Sequence, residues 1–273
     1  MKERTVKVVK INNLYAVIVL YNKFCQNSLT YNELNRIKGL NIIVCDNSTK
    51  DMGNKDQVIN DNNIFINMNG NKGLSKAYNK AIENIPLKDN YICLFDDDTK
   101  IEKKYFDILL NEINNNAADV YLPIVKTQNR LLSPCVFVHN RCREAKNYNE
   151  FNKYDISAIN SGMTIKGDVF NDFRYNEQIF LDCVDHYFMR YINNLKKKIH
   201  IMYDNVLIQS FSMEENTLES TYNRLCIMNN DLKEYYKNNK LMYFYAITAY
   251  KCVMIKKFKT LKFLFLKKFN QEN

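Results

Sequence analysis

Three consecutive carboxylates, Asp96-Asp97-Asp98, follow directly on the apolar run Tyr91-Ile92-Cys93-Leu94-Phe95. Mutual repulsion makes such a cluster costly unless water or a cation neutralises it, and hard carboxylate oxygens favour Mg²⁺ or Mn²⁺. Open α/β sheets bind ligands outside the carboxyl ends of their strands, so a cation held there could bridge two phosphates of a nucleotide. The plainer alternative is a solvated turn, with Asp98 or Thr99 capping a helix that starts near Lys103. A second acidic pair, Asp182 and Asp185, stands three residues apart at the predicted start of a helix. Asp185 in a cleft is a candidate base for a hydroxyl, with His186 as the alternative, while either acid could instead be a cap. Asp46 could hold a base or ribose, or close a turn.

The elements that must position these groups are visible as hydrophobic runs. Residues 14–21, 41–45, 64–66 and 91–95 read as buried strands, and 22–38 and 74–84 as helices, with Gly39 stopping the first helix. This strand and helix alternation predicts right-handed βαβ units and a doubly wound sheet suited to a nucleotide. Parallel strands end on one side, so Asp46 and Asp96 to Asp98 should share an edge. Residues 101–114 read as a helix, 119–125 as a strand, 126–155 as an irregular stretch with an acceptor-facing loop or hairpin, 158–165 as a strand and 166–173 as a short helix. Gly70 and Gly73 do not complete G-x-G-x-x-G, and G-x-x-x-x-G-K-[ST] is absent, which argues against dinucleotide and P-loop sites.

Several spaced motifs together resemble the inverting family 2 glycosyltransferases of the GT-A fold, most closely a rhamnosyltransferase-like branch, from about residue 15 to 211. Ala16-Val17-Ile18-Val19-Leu20-Tyr21-Asn22 is similar to the family's opening strand, and Val44-Cys45-Asp46-Asn47-Ser48 to the strand whose Asp holds the nucleotide base. Asn71-Lys72-Gly73-Leu74-Ser75-Lys76-Ala77-Tyr78-Asn79 resembles its N-x-G-x-x-x-A-x-N segment, and Asp96-Asp97-Asp98 its metal-binding D-x-D. Asn160-Ser161-Gly162-Met163 looks like its Ser-Gly strand, and Phe180-Leu181-Asp182-Cys183-Val184-Asp185 like the segment of the catalytic base. The resemblance implies a GT-A, Rossmann-like mixed α/β sheet flanked by helices. It implies Asp185 as base, Asp96 and Asp98 as metal ligands, and Tyr21, Asn22, Asp46, Asn71, Gly73, Ser75, Asn79, Asp97, Ser161 and Gly162 around the donor. Asp182 and His186 would face the acceptor. Two positions depart from the pattern. The family's late metal-binding His is missing from Val206-Leu207-Ile208-Gln209-Ser210-Phe211, where either Gln209 substitutes or fewer protein ligands hold the metal, and His186 and Tyr187 occupy the place of the acid that commonly follows the base. The implied reaction moves a sugar from a nucleotide-sugar donor, with Mg²⁺ or Mn²⁺, onto a glycan or lipid-linked acceptor with inversion. Rhamnose or hexose donors and a role in bacterial surface polysaccharide synthesis follow from the branch.

With 273 residues, 46% hydrophobic and only 6 Gly and 3 Pro, the chain can bury a large core and has no linker-like segment. The expected division is a catalytic domain over 1–215, with its nucleotide half about 14–100 and its acceptor half about 101–215, and a C-terminal helical extension over 216–273. Eight cysteines include no C-x-x-C pair, and Cys135 and Cys142 have the wrong spacing for the usual zinc patterns, so a reducing compartment is expected. No signal-peptide core and no run near the roughly 18 apolar residues of a spanning helix is present. The net charge of +9 is concentrated C-terminally: no acid lies between Glu234 and Glu272, while seven lysines recur from Lys251 to Lys268. In a helix predicted over 241–269, Tyr250, Met254, Phe258, Leu261 and Phe265 share a face, with Phe263 out of line. Such a basic, aromatic helix suits an anionic bilayer surface, giving a cytoplasmic protein peripheral to the inner face of the membrane; packing on the domain or a homo-oligomer contact is the alternative. A basic nucleic-acid binder lacks any supporting motif, and nucleic acid is not expected as a partner. A metal-dependent phosphohydrolase lacks the further His/Asp clusters of a two-metal site.

Overall fold

The computed structural model describes residues 8–127, 130–209 and 217–269. The first apolar run forms β1, Leu14–Leu20, after which the chain turns at Asn22 with a left-handed φ of 47°. Helix α1, Leu29–Leu34, occupies only the middle of the predicted 22–38 helix. It starts late because the Ser28 hydroxyl accepts the Tyr31 N–H and donates to the Asp97 carbonyl, fixing the cap against the loop after β4. Strand β2, Asn41–Asp46, is followed by an unanticipated helix α2, Asn54–Asn60, then β3, Ile64–Asn67, α3, Leu74–Ile82, and β4, Tyr91–Phe95.

Helix α4, Lys103–Asn115, has Glu102 at its N-cap with no side-chain capping bond. Neither Asp98 nor Thr99 is its cap, although Asp97 and Asp98 do lie in a turn with Asp98 exposed. Strand β5, Val120–Lys126, leads to β6, Leu131–Ser133, and to the hairpin β7, Cys135–Val138, with β8, Arg141–Glu144. The hairpin turn is His139-Asn140, both at positive φ, the backbone that suits a two-residue loop to twisted strands. Strand β9, Ile156–Ser157, completes a small sheet in the order β8-β7-β9. The strand expected over 158–165 shrinks to β10, Met163–Lys166, and the short helix after it is a 3-10 turn, Gly167–Asn171. Helix α5, Val184–Asn194, and β11, Ile199–Ile208, finish the main unit; α6, Leu218–Tyr235, and α7, Lys240–Phe258, follow.

The main sheet runs β11-β5-β10-β4-β1-β2-β3, with β6 on β5. The β3-β2-β1-β4 and β5-β11 pairs are parallel, and β10 is antiparallel to both β4 and β5. Alternation along β1 sends Leu14, Ala16, Ile18 and Leu20 into a core with α1 and α4, and Val17 into one with α3 and α5. The result is a helix, sheet, helix sandwich whose parallel strands all end on one edge. The C-terminal helices have a cluster of their own, centred on the fully buried Phe263. A single helix over 241–269 is not formed: Lys259 takes a left-handed φ of 50°, and a 3-10 turn, Leu261–Leu264, folds back. Met254 and Phe258 thus pack inward beside Phe263, whereas Leu261 and Phe265 of the same predicted stripe are exposed.

Candidate active site

The antiparallel course of β10 assembles the centre. It enters the sheet where β4 leaves, with Met163 opposite Leu94, so Ser161 lies beside the first acid after β4. The Ser161 hydroxyl donates to Asp96 Oδ2. Burial pushes the Asp96 carboxyl up to about 6; the Ser161 bond opposes this, and the neighbouring Asp98 and Asp185 carboxylates reinforce it. Asp96, Asp98 and Asp185 therefore share one electrostatic environment, although nearly ninety positions separate the first from the last in sequence. A divalent cation would relieve that strain, and the hard oxygens of Asp96 and the exposed Asp98 fit Mg²⁺ or Mn²⁺. Gln209 follows β11, its N–H donating to the Lys126 carbonyl at 3.0 Å. The last residues of β11 and Asp98 line a common cavity of about 630 Å³, and Gln209 is the residue that follows β11 in the chain. Asp97 differs from its neighbours: its carboxylate pairs with Lys23 Nζ at 2.6 Å and so fastens the β1 loop.

Asp185 stands in the first turn of α5, its Oδ1 accepting the His186 N–H at 2.6 Å. The His186 ring sits between Asp185 and the small sheet: Nδ1 lies 3.7 Å from Asp185 Oδ1 and 2.8 Å from Ser157 Oγ on β9, with Cys135 and Cys142 close by. Asp182 is held by both terminal guanidinium nitrogens of Arg224 on α6. The two acids separate because Cys183, at a φ of 63°, turns the chain between them. Asp182 thus ties the loop to α6.

The donor-side residues divide into edge groups and scaffold groups. Tyr21 is 52% exposed at the end of β1, an open aromatic face. Asn22 accepts the Thr49 N–H, and its own N–H donates to Ser48, stitching the loops after β1 and β2. Asp46 is 7% exposed, with Oδ1 on the Ser48 N–H and Oδ2 on Asn54 Nδ2, so the turn-closing arrangement is present. Asn71 Oδ1 accepts from Asn47 Nδ2 at 3.0 Å, bringing the β3 loop to the β2 loop. The Ser75 hydroxyl, in the first turn of α3, is buried and has no hydrogen-bond partner among the described residues.

Three other motif positions act as scaffold. Asn79 is spent on the backbone of Tyr175, accepting its N–H and donating to its carbonyl, and on Glu177. Gly73 sits at φ 84° with Phe180 against it: a Cβ would fall 2.7 Å from the Phe180 carbonyl oxygen. Gly162, at φ 79°, would drive a Cβ to 2.7 Å from Leu207. Close approach explains both glycines. Sequence reasoning missed Asp231 on α6, fully buried, whose carboxylate accepts the N–H groups of Phe180, Leu181 and Asp182. No local motif marks it, because its partners lie about fifty residues upstream.

Comparison with known proteins agrees with this architecture. The family model described as glycosyl transferase family 2 matches residues 16–180. No curated protein matches the chain. Among solved structures, S. aureus TarS 1–349 in complex with UDP-GlcNAc is similar with a TM-score of 0.53 and 15% identity, over 81% of this chain and 66% of that one. GalNAc-T7 with UDP, GalNAc and Mn²⁺ is similar with a TM-score of 0.54 and 12% identity, over 78% and 48%. The chain spans 65% of the length of TarS 1–349 and 39% of the longer TarS structure. At these identities the structural likeness concerns the fold alone. The family match covers more than half of the sequence, including every edge motif from β1 through the loop at Phe180, and the chain belongs to glycosyl transferase family 2.

Proposed function

We propose that the chain transfers a sugar from a nucleotide-diphosphate donor, dTDP-rhamnose or a UDP-hexose, to a hydroxyl of a glycan or lipid-linked acceptor, with inversion. The observation that carries this reading is the convergence of Asp96, Asp98 and Asp185, with Ser161 on Asp96, at the carboxyl edge of the sheet. The solved relatives support the donor class, since their structures hold UDP, UDP-GlcNAc or UDP with Mn²⁺. Asp96 and Asp98, with Gln209 as the candidate third ligand, would hold Mg²⁺ or Mn²⁺, which when bound neutralises the charge developing on the departing diphosphate. Asp185 accepts the proton of the attacking hydroxyl, whose oxygen bonds to the anomeric carbon as the bond to the diphosphate oxygen breaks on the opposite face. Tyr21, Asn22, Asp46, Asn71 and Ser75 surround the nucleoside side.

Calorimetry with UDP and with dTDP, with Mn²⁺ or with chelator, tests the donor site in the wild type and in Asp98→Ala. Metal-dependent binding that the variant loses is the expected result, and the preferred nucleotide narrows the sugar. Failure of both nucleotides to bind under every condition would overturn the reading.

Membrane contact belongs to the same proposal. Leu241, Phe244 and Val253 of α7 are 83%, 60% and 57% exposed, and Lys256, Lys257 and Lys259 follow them. Exposed apolar side chains along α7 and lysines at its C-terminal end are groups that an anionic leaflet would meet, and a lipid-linked acceptor at the cytoplasmic face gives that contact a use. Among the described residues no helix is long and apolar enough to cross a membrane.

A further inference from the structure

Cys135 on β7, Cys142 on β8 and His186 on α5 converge although none of the three is near another in a zinc-like sequence pattern. Their ligand atoms all lie within 4.8 Å of one another, and the two sulfurs are 2.7 Å apart. The hairpin makes the cysteines diagonal neighbours, since Phe137 pairs with Cys142 and Cys135 with Glu144. The Ser157 hydroxyl, 2.8 Å from His186 Nδ1, steadies the ring beside the two sulfurs, as second-sphere partners do for metal-binding imidazoles. Two thiolates and an imidazole are borderline-soft donors that suit Zn²⁺, whereas the carboxylates at Asp96 and Asp98 suit Mg²⁺ or Mn²⁺. A cavity of about 620 Å³ borders the cluster, lined also by Leu132, Arg143, Lys146 and Ile159, so a fourth position would face solvent or a ligand.

We propose that Cys135, Cys142 and His186 form a Zn²⁺ site, separate from the donor-side cation, that clamps the β7–β8 hairpin to the helix carrying Asp185. Tetrahedral bonding at a Zn–S distance of about 2.3 Å needs the sulfurs about 3.8 Å apart, an opening of about 1 Å that rotation of the half-buried Cys142 can supply. The clamp would set the position of the acceptor wall relative to Asp185, and it stands whether or not the transferred group is a sugar.

The test loads the reduced, full-length protein with Co²⁺ or Zn²⁺ after dialysis against chelator. Thiolate-to-cobalt charge-transfer absorption, saturating at one ion per chain, is expected in the wild type and in Asp98→Ala. It should disappear in Cys135→Ser and Cys142→Ser, with their folding checked by circular dichroism. X-ray absorption of the Zn²⁺-loaded wild type adds a readout that needs no variant: two sulfur ligands and at least one imidazole are expected. Absence of the charge-transfer band, its persistence in both cysteine variants, or an all-oxygen and nitrogen zinc shell would overturn the site. So would a Cys135–Cys142 disulfide in protein isolated without added oxidant.

Discussion

The Ser161 hydroxyl reaches Asp96 because β10 runs against β4, and the contact has a measurable consequence. Ser161 favours the ionised form of a carboxyl that burial pushes up to about 6, so it prepares Asp96 to hold a cation at neutral pH. Ser161→Ala is expected to weaken Mn²⁺ affinity by about 10–100-fold, the usual effect of removing a second-sphere partner, while leaving the fold intact. Titration of Mn²⁺ by its paramagnetic resonance signal reads this directly; unchanged affinity would remove Ser161 from the site. Asp185 carries a different expectation. Asp185→Asn should lower kcat by about 10²–10⁴-fold, because the amide cannot accept the hydroxyl proton, with UDP affinity held within about twofold. A comparable loss in UDP affinity would instead place Asp185 in donor binding.

Between elements, the main coupling is the one that α6 makes with the loop before α5. Asp231 accepts three N–H groups that have no strand or helix to satisfy them, and Arg224 holds Asp182 in the same loop. Asp231→Ala would leave those buried donors unpaired, and about 3 kcal/mol of stability or more is expected to go. Burial raises the Asp231 carboxyl from its ordinary 3.8 to about 6 against the pull of those three bonds. The folded state therefore keeps a proton that the unfolded chain has lost between these values. The corresponding stability is complete below about pH 4 and declines as pH rises through about 6. Urea melts of wild type and Asp231→Asn across this range should show a stability difference that changes with pH; a constant difference would refute the assignment. The strands β1 to β4 and helix α3 were legible because their hydrophobic periodicity is local. Helix α1 was overestimated, since Ser28 answers to the Asp97 carbonyl across the sheet edge, and β10 was overestimated because 158–162 must form the turn that delivers Ser161.

Over the whole molecule, charge and exposed apolar surface are unevenly distributed. The lysine-rich end is less bare than its sequence suggests: Lys262 pairs with Glu219 on α6 at 2.5 Å, and Lys251 donates to the Leu264 carbonyl. Lys256, Lys257 and Lys259 are exposed just after Val253 at the C-terminal end of α7, enough for about 1 kcal/mol each at an anionic surface. The protein should pellet with vesicles containing phosphatidylglycerol and not with pure phosphatidylcholine, with binding weakened by salt and by Phe244→Glu. Equal recovery in the supernatant for both lipids would refute membrane contact, and a dimer by ultracentrifugation that the same variant dissociates would assign the face to a second copy.

Local pattern alone determined the class of fold, the edge on which the acids emerge, and the segments that place this chain in its family. It did so because alternating apolar runs dictate strands, and parallel strands deliver their carboxyl ends together. Tertiary structure decided which motif residues face the edge and which are scaffold. Asn79 and Asp97 have polar side chains that suit a ligand, yet Tyr175 and Lys23 already occupy them. Tertiary structure also joined Cys135 and Cys142 to His186, and Asp231 to the loop before Asp185. Partners forty to fifty positions away carry no local signature, and only the packing of one element on another brings them within bonding distance.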